Sequence, residues 1–312
     1  MENLFSSIYS SENLIQAFQR VAENGGCAGC DGVWISDIEK ELDTHLTELQ
    51  QDLKSGMYHP FPLMRISVPK RNGKGKRFLS IPTVRDRIAQ TAVFLVTRNI
   101  FEREFENISH AYREGRGVKT AIDEIVYWRD KGYRFAVDAD IDDFFDNMPH
   151  DLLINKLKIL IQDEQVLRLF EKWIKAEIYD GVKICTLEKG IPQGSVVSPI
   201  LANLFLDELD EVLISFGKKL VRYADDFLIL SKTREEAEEN IELTDMLLED
   251  LKLKLNPLKT KIVSFDSGFK FLGAIFLYDD VYLPHRKKRV RLPREKFPPP
   301  LTLKNYLELK NK

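Results

Sequence analysis

The chain has 312 residues and a mass of 36.2 kDa, enough for a sizeable core in one large domain or two small ones without metals or disulfides to hold it together. Hydrophobic residues make up 44% and charged residues 30%, which excludes a disordered chain, and no apolar run approaches the roughly 20 residues of a membrane helix. The net charge of −3 excludes a uniformly polycationic protein, but the distribution is uneven. Arg65 to Arg87 carries eight Lys or Arg against Asp86 alone, and Arg286 to Lys296 carries seven against Glu295 alone. A local basic patch is what a polyanion meets, whatever the total. Cys27, Cys30 and Cys185 make no disulfide framework, and MENLFSSIYS lacks the pattern of a secretory signal, so a reducing, cytoplasmic location is expected.

Apolar residues at helical spacing (Ile35, Ile38, Leu42, Leu46, Leu49, Leu53) predict a helix over 34–57, ended by Gly56. Ile66 to Pro69 and Arg77 to Pro82 read as two short strands around the loop Lys70 to Lys76. A helix from about Thr83 to Glu104 follows, then the loop Gly115-Arg116-Gly117 and a helix to Lys131. Tyr133 to Ile141 alternates as a strand, with Phe135, Val137, Ala139 and Ile141 on one face and Asp138 and Asp140 on the other. Helices are expected across 151–176, 197–216 and 233–253, with two strands over 220–230 joined at Asp225-Asp226, and strands over 259–265 and 269–283. Phe297-Pro298-Pro299-Pro300 reads as a stiff, extended tether or domain edge. Strands interspersed with helices, without a regular βα repeat, indicate α+β.

Two acidic clusters carry the chemistry. In Val221-Arg222-Tyr223-Ala224-Asp225-Asp226-Phe227, adjacent carboxylates stand where a tight turn ordinarily takes Asn-Gly or Asp-Gly, and their repulsion asks for a cation or for solvent. A second set, Asp138, Asp140, Asp142, Asp143 and Asp146, lies at the end of one strand, where some of the acids suit the start of the next helix. One carboxylate from that strand facing the hairpin pair would suit two Mg²⁺ ions roughly 3.5–4 Å apart, the arrangement of phosphoryl transfer. Cys27 and Cys30 have no second Cys or His pair at zinc spacing, and His110 and His150 read as structural hydrogen-bonding groups.

These motifs, in this order, resemble a bacterial reverse transcriptase of the group II intron-like class over about residues 25 to 280. Gly29-Cys30-Asp31-Gly32-Val33 resembles part of its N-terminal extension, Arg77 to Arg87 and His110 to Gly117 its fingers motifs, and the Asp140 segment its first palm motif. Ile191 to Pro199 resembles the template- and nucleotide-contacting motif, Tyr223 to Asp226 the catalytic hairpin, and Leu255 to Lys261 with Phe271-Leu272-Gly273 the last palm motif and primer grip. The resemblance implies a right-hand polymerase fold of fingers and ferredoxin-like antiparallel palm, with the thumb absent or vestigial. It divides the chain into a helical extension (1–64), fingers and palm (65–283) and a basic, proline-containing tail (284–312). The implied activity is RNA-directed DNA polymerisation with RNA template, DNA primer, deoxynucleoside triphosphates and Mg²⁺, which Mn²⁺ can replace.

Residue by residue, the resemblance makes Asp140, Asp225 and Asp226 catalytic and adds Ile141 to the metal set. Lys70, Arg77, Phe145, Gln193 and Gly194 would bind the nucleotide, Phe145 by crowding the 2′ position, though beside Phe144 it also reads as a core aromatic. Tyr223, Lys259, Phe271, Leu272 and Gly273 would contact primer or template. The tail composition further resembles reverse transcriptases associated with CRISPR adaptation, which implies spacer acquisition from RNA and the adaptation integrase as partner. An abortive-infection-type or template-independent DNA polymerase, and a non-catalytic nucleic-acid-binding module, stay open as alternatives.

Overall fold

The computed structural model describes residues 4–69, 75–283 and 300–310. Two compact units are built from interleaved segments, one from Met1–Phe101, Ile154–Ser198 and Leu292–Lys312, the other from Glu102–Leu153 and Pro199–Arg291.

The first unit begins with α1 (Leu4–Ile8), α2 (Ser11–Asn24), α3 (Ile35–Lys40) and α4 (Leu42–Ser55). The helix expected over 34–57 is thus two, because Glu41 leaves helical backbone at φ −128°, while Gly56 ends α4 in the left-handed conformation at φ 75° as its sequence position implies. β1 (Leu63–Pro69) and β2 (Lys76–Ile81) pair antiparallel from Met64 opposite Ile81 to Pro69 opposite Lys76, and α5 (Val84–Glu104) follows. At its start Asp86, fully buried, accepts from Thr83 Oγ1 (2.7 Å), Tyr58 Oη (2.7 Å) and the Phe61 amide (3.0 Å), so the turn entering α5 is held by one satisfied carboxylate.

After α6 (Val118–Asp130), β3 (Phe135–Asp140) and α7 (Phe144–Asn147) of the second unit, the chain runs through α8 (His150–Leu160) and α9 (Glu164–Ile174). The helical span expected over 151–176 is divided between these two helices. Asp163 caps α9, accepting from the amides of Gln165 (3.0 Å) and Val166 (3.3 Å). β4 (Glu177–Tyr179) and β5 (Ile184–Thr186), too short to leave a periodic signal, complete a sheet of order β2-β1-β4-β5 in which β4 runs parallel to β1.

Met64, Ile66, Val68 and Tyr179 pack with Cys30 and Leu301. Leu301 N donates to Cys30 O, and in the helix Leu303–Lys310 Tyr306 Oη donates to Glu177 (3.0 Å), which also pairs with Lys310 (3.0 Å). Phe297 to Pro299, like the basic run 286–296, lie outside the described residues.

In the second unit α10 (Ser198–Ser215) leads into β6 (Lys219–Tyr223) and β7 (Asp226–Ser231), then α11 (Arg234–Asp250), β8 (Lys261–Ser264), β9 (Phe269–Phe271), β10 (Ala274–Leu277) and β11 (Asp280–Tyr282); the terminal helix is α12. The strands expected over 269–283 form a three-stranded meander, β11-β10-β9. The main sheet has order β6-β7-β3-β8 with every pairing antiparallel. This α+β arrangement is the right-hand polymerase type of fold. Ala136, Val221, Leu228 and Leu230 pack with Ile122 and Ile125 of α6 and the phenylalanines of the meander. The alternate residues Val137, Phe227 and Ile229 are fully buried too, with α11 packed on β3, β7 and β8. β3 is thus a central strand covered on both faces, and its acids share their face with buried Ala136 rather than forming a wholly polar side. Among the described residues no helix is long and apolar enough to cross a membrane.

Candidate active site

Asp140, the last residue of β3, lies directly across from Asp226, the first residue of β7. Asp226 also pairs with Tyr223, so the β6–β7 turn is Ala224-Asp225 rather than the expected Asp225-Asp226. One of the two acids therefore sits in the turn and the other is fixed by the ladder. Ala224 adopts φ 62° at the first turn position, the conformation for which hairpins ordinarily select glycine.

Burial, and after it the concentration of negative charge, raises the pKa values of Asp138, Asp225 and Asp226. Asp226 is pushed up to about 6 by loss of hydration and then by Asp225, Asp140 and Asp138; Asp225 is raised chiefly by burial, with Asp140 adding to it. Asp138 is raised by burial, and Lys261 at 3.5 Å opposes that shift. Lys259 Nζ lies 2.8 Å from Asp140 Oδ2, which raises the lysine pKa. The segment bearing Lys259 is tied to the same strand end, since Asn256 N donates to Asp140 O (2.8 Å) and Asn256 Nδ2 to Asp142 Oδ1 (3.0 Å).

The paired carboxylates are an oxygen donor set that fits a hard divalent cation, and Lys259 is a competing cation at one of them rather than a ligand. Ile141 has its side chain buried, so its carbonyl is the atom it could offer a cation. The tightest acidic group among the described residues lies elsewhere: ligand oxygens of Glu104, Asp207 and Glu211 come within 4.8 Å of one another, and burial next to Asp210 pushes Asp207 up to about 7.

After Asp143, at φ 41°, α7 carries Phe144 and Phe145. Phe144 is buried against Phe205 (centroids 6.3 Å apart), which takes the core role, while Phe145 is only half-buried and meets Phe144 edge-on at 5.4 Å. Tyr223 is half-buried at the hairpin end. Phe271 is core, and the β9–β10 turn is Leu272-Gly273, both left-handed (φ 49° and 88°) as a two-residue hairpin requires.

The first unit holds the other candidate residues. Arg77 is exposed on β2. Gln193 O accepts from the Ser80 amide of the same strand (2.7 Å), and Gly194, at φ 120°, lies so close that a Cβ would stand 2.8 Å from Ser80 O. Ser195 Oγ donates to Gln90 Oε1 (2.9 Å), which also accepts from Val196 N (2.9 Å). Gln193-Gly194 is thus brought to the strand that bears Arg77; Lys70 lies outside the described residues.

Two relationships have no signal in the sequence. Lys259 pairs with an acid 119 positions away. Arg222, which follows the strand alternation as an ordinary position, is fully buried and paired with equally buried Asp210. His110 bridges Thr120 Oγ1 and Glu124 Oε2, both at 2.9 Å, in the hydrogen-bonding role its motif suggests.

The family model described as "Reverse transcriptase (RNA-dependent DNA polymerase)" matches residues 68–276. Protein YkfC of Escherichia coli (strain K12) is 32% identical, with 88% of this chain and 82% of YkfC aligned. The group II intron-encoded protein LtrA of Lactococcus lactis subsp. cremoris is 34% identical over 66% of this chain and 34% of its own length. In fold, telomerase from Candida albicans is similar with a TM-score of 0.55 and 14% identity, over 74% of this chain and 48% of that chain.

Proposed function

Because this chain belongs to the reverse transcriptase family, that of RNA-dependent DNA polymerases, we propose that it extends a DNA primer on an RNA template at Asp140, Asp225 and Asp226. The observation that carries the reading is the cross-strand placement of Asp140 opposite Asp226, with Asp225 in the adjoining two-residue turn. Divalent cations held by these carboxylates and the Ile141 carbonyl, Mg²⁺ in two sites, would lower the pKa of the primer 3′-hydroxyl and neutralise charge on the leaving pyrophosphate. In the reaction the hydroxyl gives up its proton, its oxygen bonds to the α-phosphorus of the deoxynucleotide, and the bond to pyrophosphate breaks.

The remaining roles fall to the other residues singled out by the motifs. Lys259 balances Asp140 before substrate arrives and, freed from it, is a cation for the primer or template backbone. Phe145 presents a half-buried ring that excludes a 2′-hydroxyl. Arg77 supplies an exposed guanidinium for the triphosphate, Lys70 is assigned as a second cation for it, and Gln193-Gly194 offers a closely approaching backbone for the base pair. Tyr223 and the Phe271-Leu272-Gly273 hairpin hold the primer end. Extension of a DNA primer on an RNA template, with Asp225→Asn and a no-template control, tests the reading. Template-dependent product lost in Asp225→Asn is expected; wild-type extension by the variant refutes the carboxylate assignment, and product without template promotes terminal transfer.

The group II-like motifs followed by a basic, proline-containing segment over 284–312 support a narrower proposal, that the polymerase serves CRISPR spacer acquisition from RNA. Co-purification with the adaptation integrase is expected, and a pull-down free of that partner counts against it.

A further inference from the structure

Arg222 stands three residues before Asp225 and has no contact with solvent, yet it carries a charge. Its guanidinium is held on one side by Asp210: Nε donates to Oδ1 (2.8 Å) and Oδ2 (2.9 Å), and Nη2 donates to Oδ2. Asn203 holds another edge, its Oδ1 accepting from Nη1 at 3.0 Å. Asn203 and Asp210 are seven residues apart on α10, two turns along one face, so a single helix presents both anchors. The remaining direction of Nη1 points at the catalytic hairpin, where it donates to Ala224 O at 3.1 Å. That carbonyl belongs to the peptide that leads into Asp225.

We infer that Arg222 is a positioning residue for Asp225, its guanidinium locked by Asp210 and Asn203 so that the Ala224–Asp225 peptide is fixed in the orientation that aims the carboxylate. The inference rests on the reading of Asp225 as a metal ligand. Three arguments support it. Ala224 is left-handed without being glycine, a conformation that persists only when its surroundings hold it, and Arg222 supplies a direct bond to that residue. A buried ion pair is a poor source of stability compared with apolar packing of the same volume, so its presence two positions from the turn calls for a geometric role. The main chain of Arg222 is also pinned, its amide donating to Ile108 O and its carbonyl accepting from His110 N, both at 2.9 Å, so the guanidinium starts from a fixed base.

Arg222→Lys keeps the charge but not the planar fork, and cannot hold Asp210, Asn203 and Ala224 O together. Primer extension by the folded Arg222→Lys protein is expected to show kcat lowered roughly 10- to 100-fold and a several-fold rise in the Mg²⁺ concentration giving half the maximal rate, as for other groups that orient a metal ligand. Affinity for primer–template is expected to change less than about threefold, because no substrate contact is lost. A merely structural role lowers Tm while leaving kcat per folded molecule and the Mg²⁺ requirement at wild-type values, and that result overturns the inference. Where Arg222→Lys does not fold, Asn203→Leu, which removes one anchor and spares Asp210, decides by the same two readouts with smaller shifts. Asp225→Asn run in parallel separates the failures: an active Asp225→Asn defeats the metal reading, whereas an inactive one beside an Arg222→Lys of wild-type behaviour defeats the positioning role alone.

Discussion

Lys259 Nζ sits 2.8 Å from Asp140 Oδ2. On the function proposed above, the lysine occupies the electrostatic place that a divalent ion would take at these carboxylates. Both side chains are partly exposed, so the pair itself contributes little stability. Lys259→Met is expected to lower Tm in EDTA by no more than about 2 °C and to enlarge the stabilisation produced by Mg²⁺. Thermal melts with and without Mg²⁺ check this. An unchanged Mg²⁺ increment in the variant shows that Lys259 and the cation do not compete for Asp140.

The pH dependence of stability follows from Asp226, whose carboxyl is pushed up to about 6 from an ordinary 3.8. The folded state holds that proton more tightly than the unfolded one, so stability falls as pH rises from about 4 to about 6 and the cost stays in full above that range. The side chain is exposed, and solvent screening limits the cost to about 1 kcal/mol or less. Asp226→Asn removes it. In EDTA at pH 7.5 the variant is expected to melt above the wild type, with the two curves converging at pH 4. A variant less stable than wild type at pH 7.5 contradicts the crowding of charge at this strand end.

Phe145 and Phe144 divide two aromatic roles that their adjacency in sequence leaves unresolved. Phe144 is buried against Phe205, so Phe145→Ala removes a half-buried ring without opening the core. Its discrimination between deoxy- and ribonucleotides, measured as the ratio of kcat/KM values, is expected to fall by about 10-fold or more. A ratio within twofold of wild type removes Phe145 from the gate.

The sequence discloses the acidic residues of the candidate site and conceals their partnerships across distance. Alternating strands and paired acids disclose β3, β6 and β7 and the carboxylates themselves, because period-two patterning and local charge are properties of short windows. The turn position is misread by one residue because Asp226 is claimed by two neighbours, Tyr223 and Asp140, and only the second strand reveals that claim. Arg222 reads as one more strand residue until Asp210 and Asn203 arrive from α10. β4 and β5 have three residues each and exist through their pairing with each other and with β1. The breaks at Glu41 and Asp163 lie inside runs whose helical periodicity continues across them. The helix of Leu303–Lys310 is hidden by the proline run before it, and its anchor, Glu177, is remote in sequence.

Gly194 offers the test that separates nucleotide binding from the carboxylate centre. Its φ of 120° is strained for any residue with a Cβ, and that Cβ would press on Ser80 O at 2.8 Å, backbone that cannot swing aside as a side chain can. Gly194→Ala must therefore push the Gln193-Gly194 segment away from β2 and weaken the Ser80 N to Gln193 O bond, at a cost of about 1–3 kcal/mol. If this segment contacts the incoming base pair, KM for the deoxynucleotide rises well beyond any change in the Mg²⁺ concentration needed for half-maximal rate, whereas Asp225→Asn abolishes turnover outright. Gln193→Ala keeps the backbone bond and loses only the amide side chain, so it divides the effect between the two. Variants that melt earlier but retain the wild-type KM assign Gly194 to packing against β2 and leave the base pair to other residues.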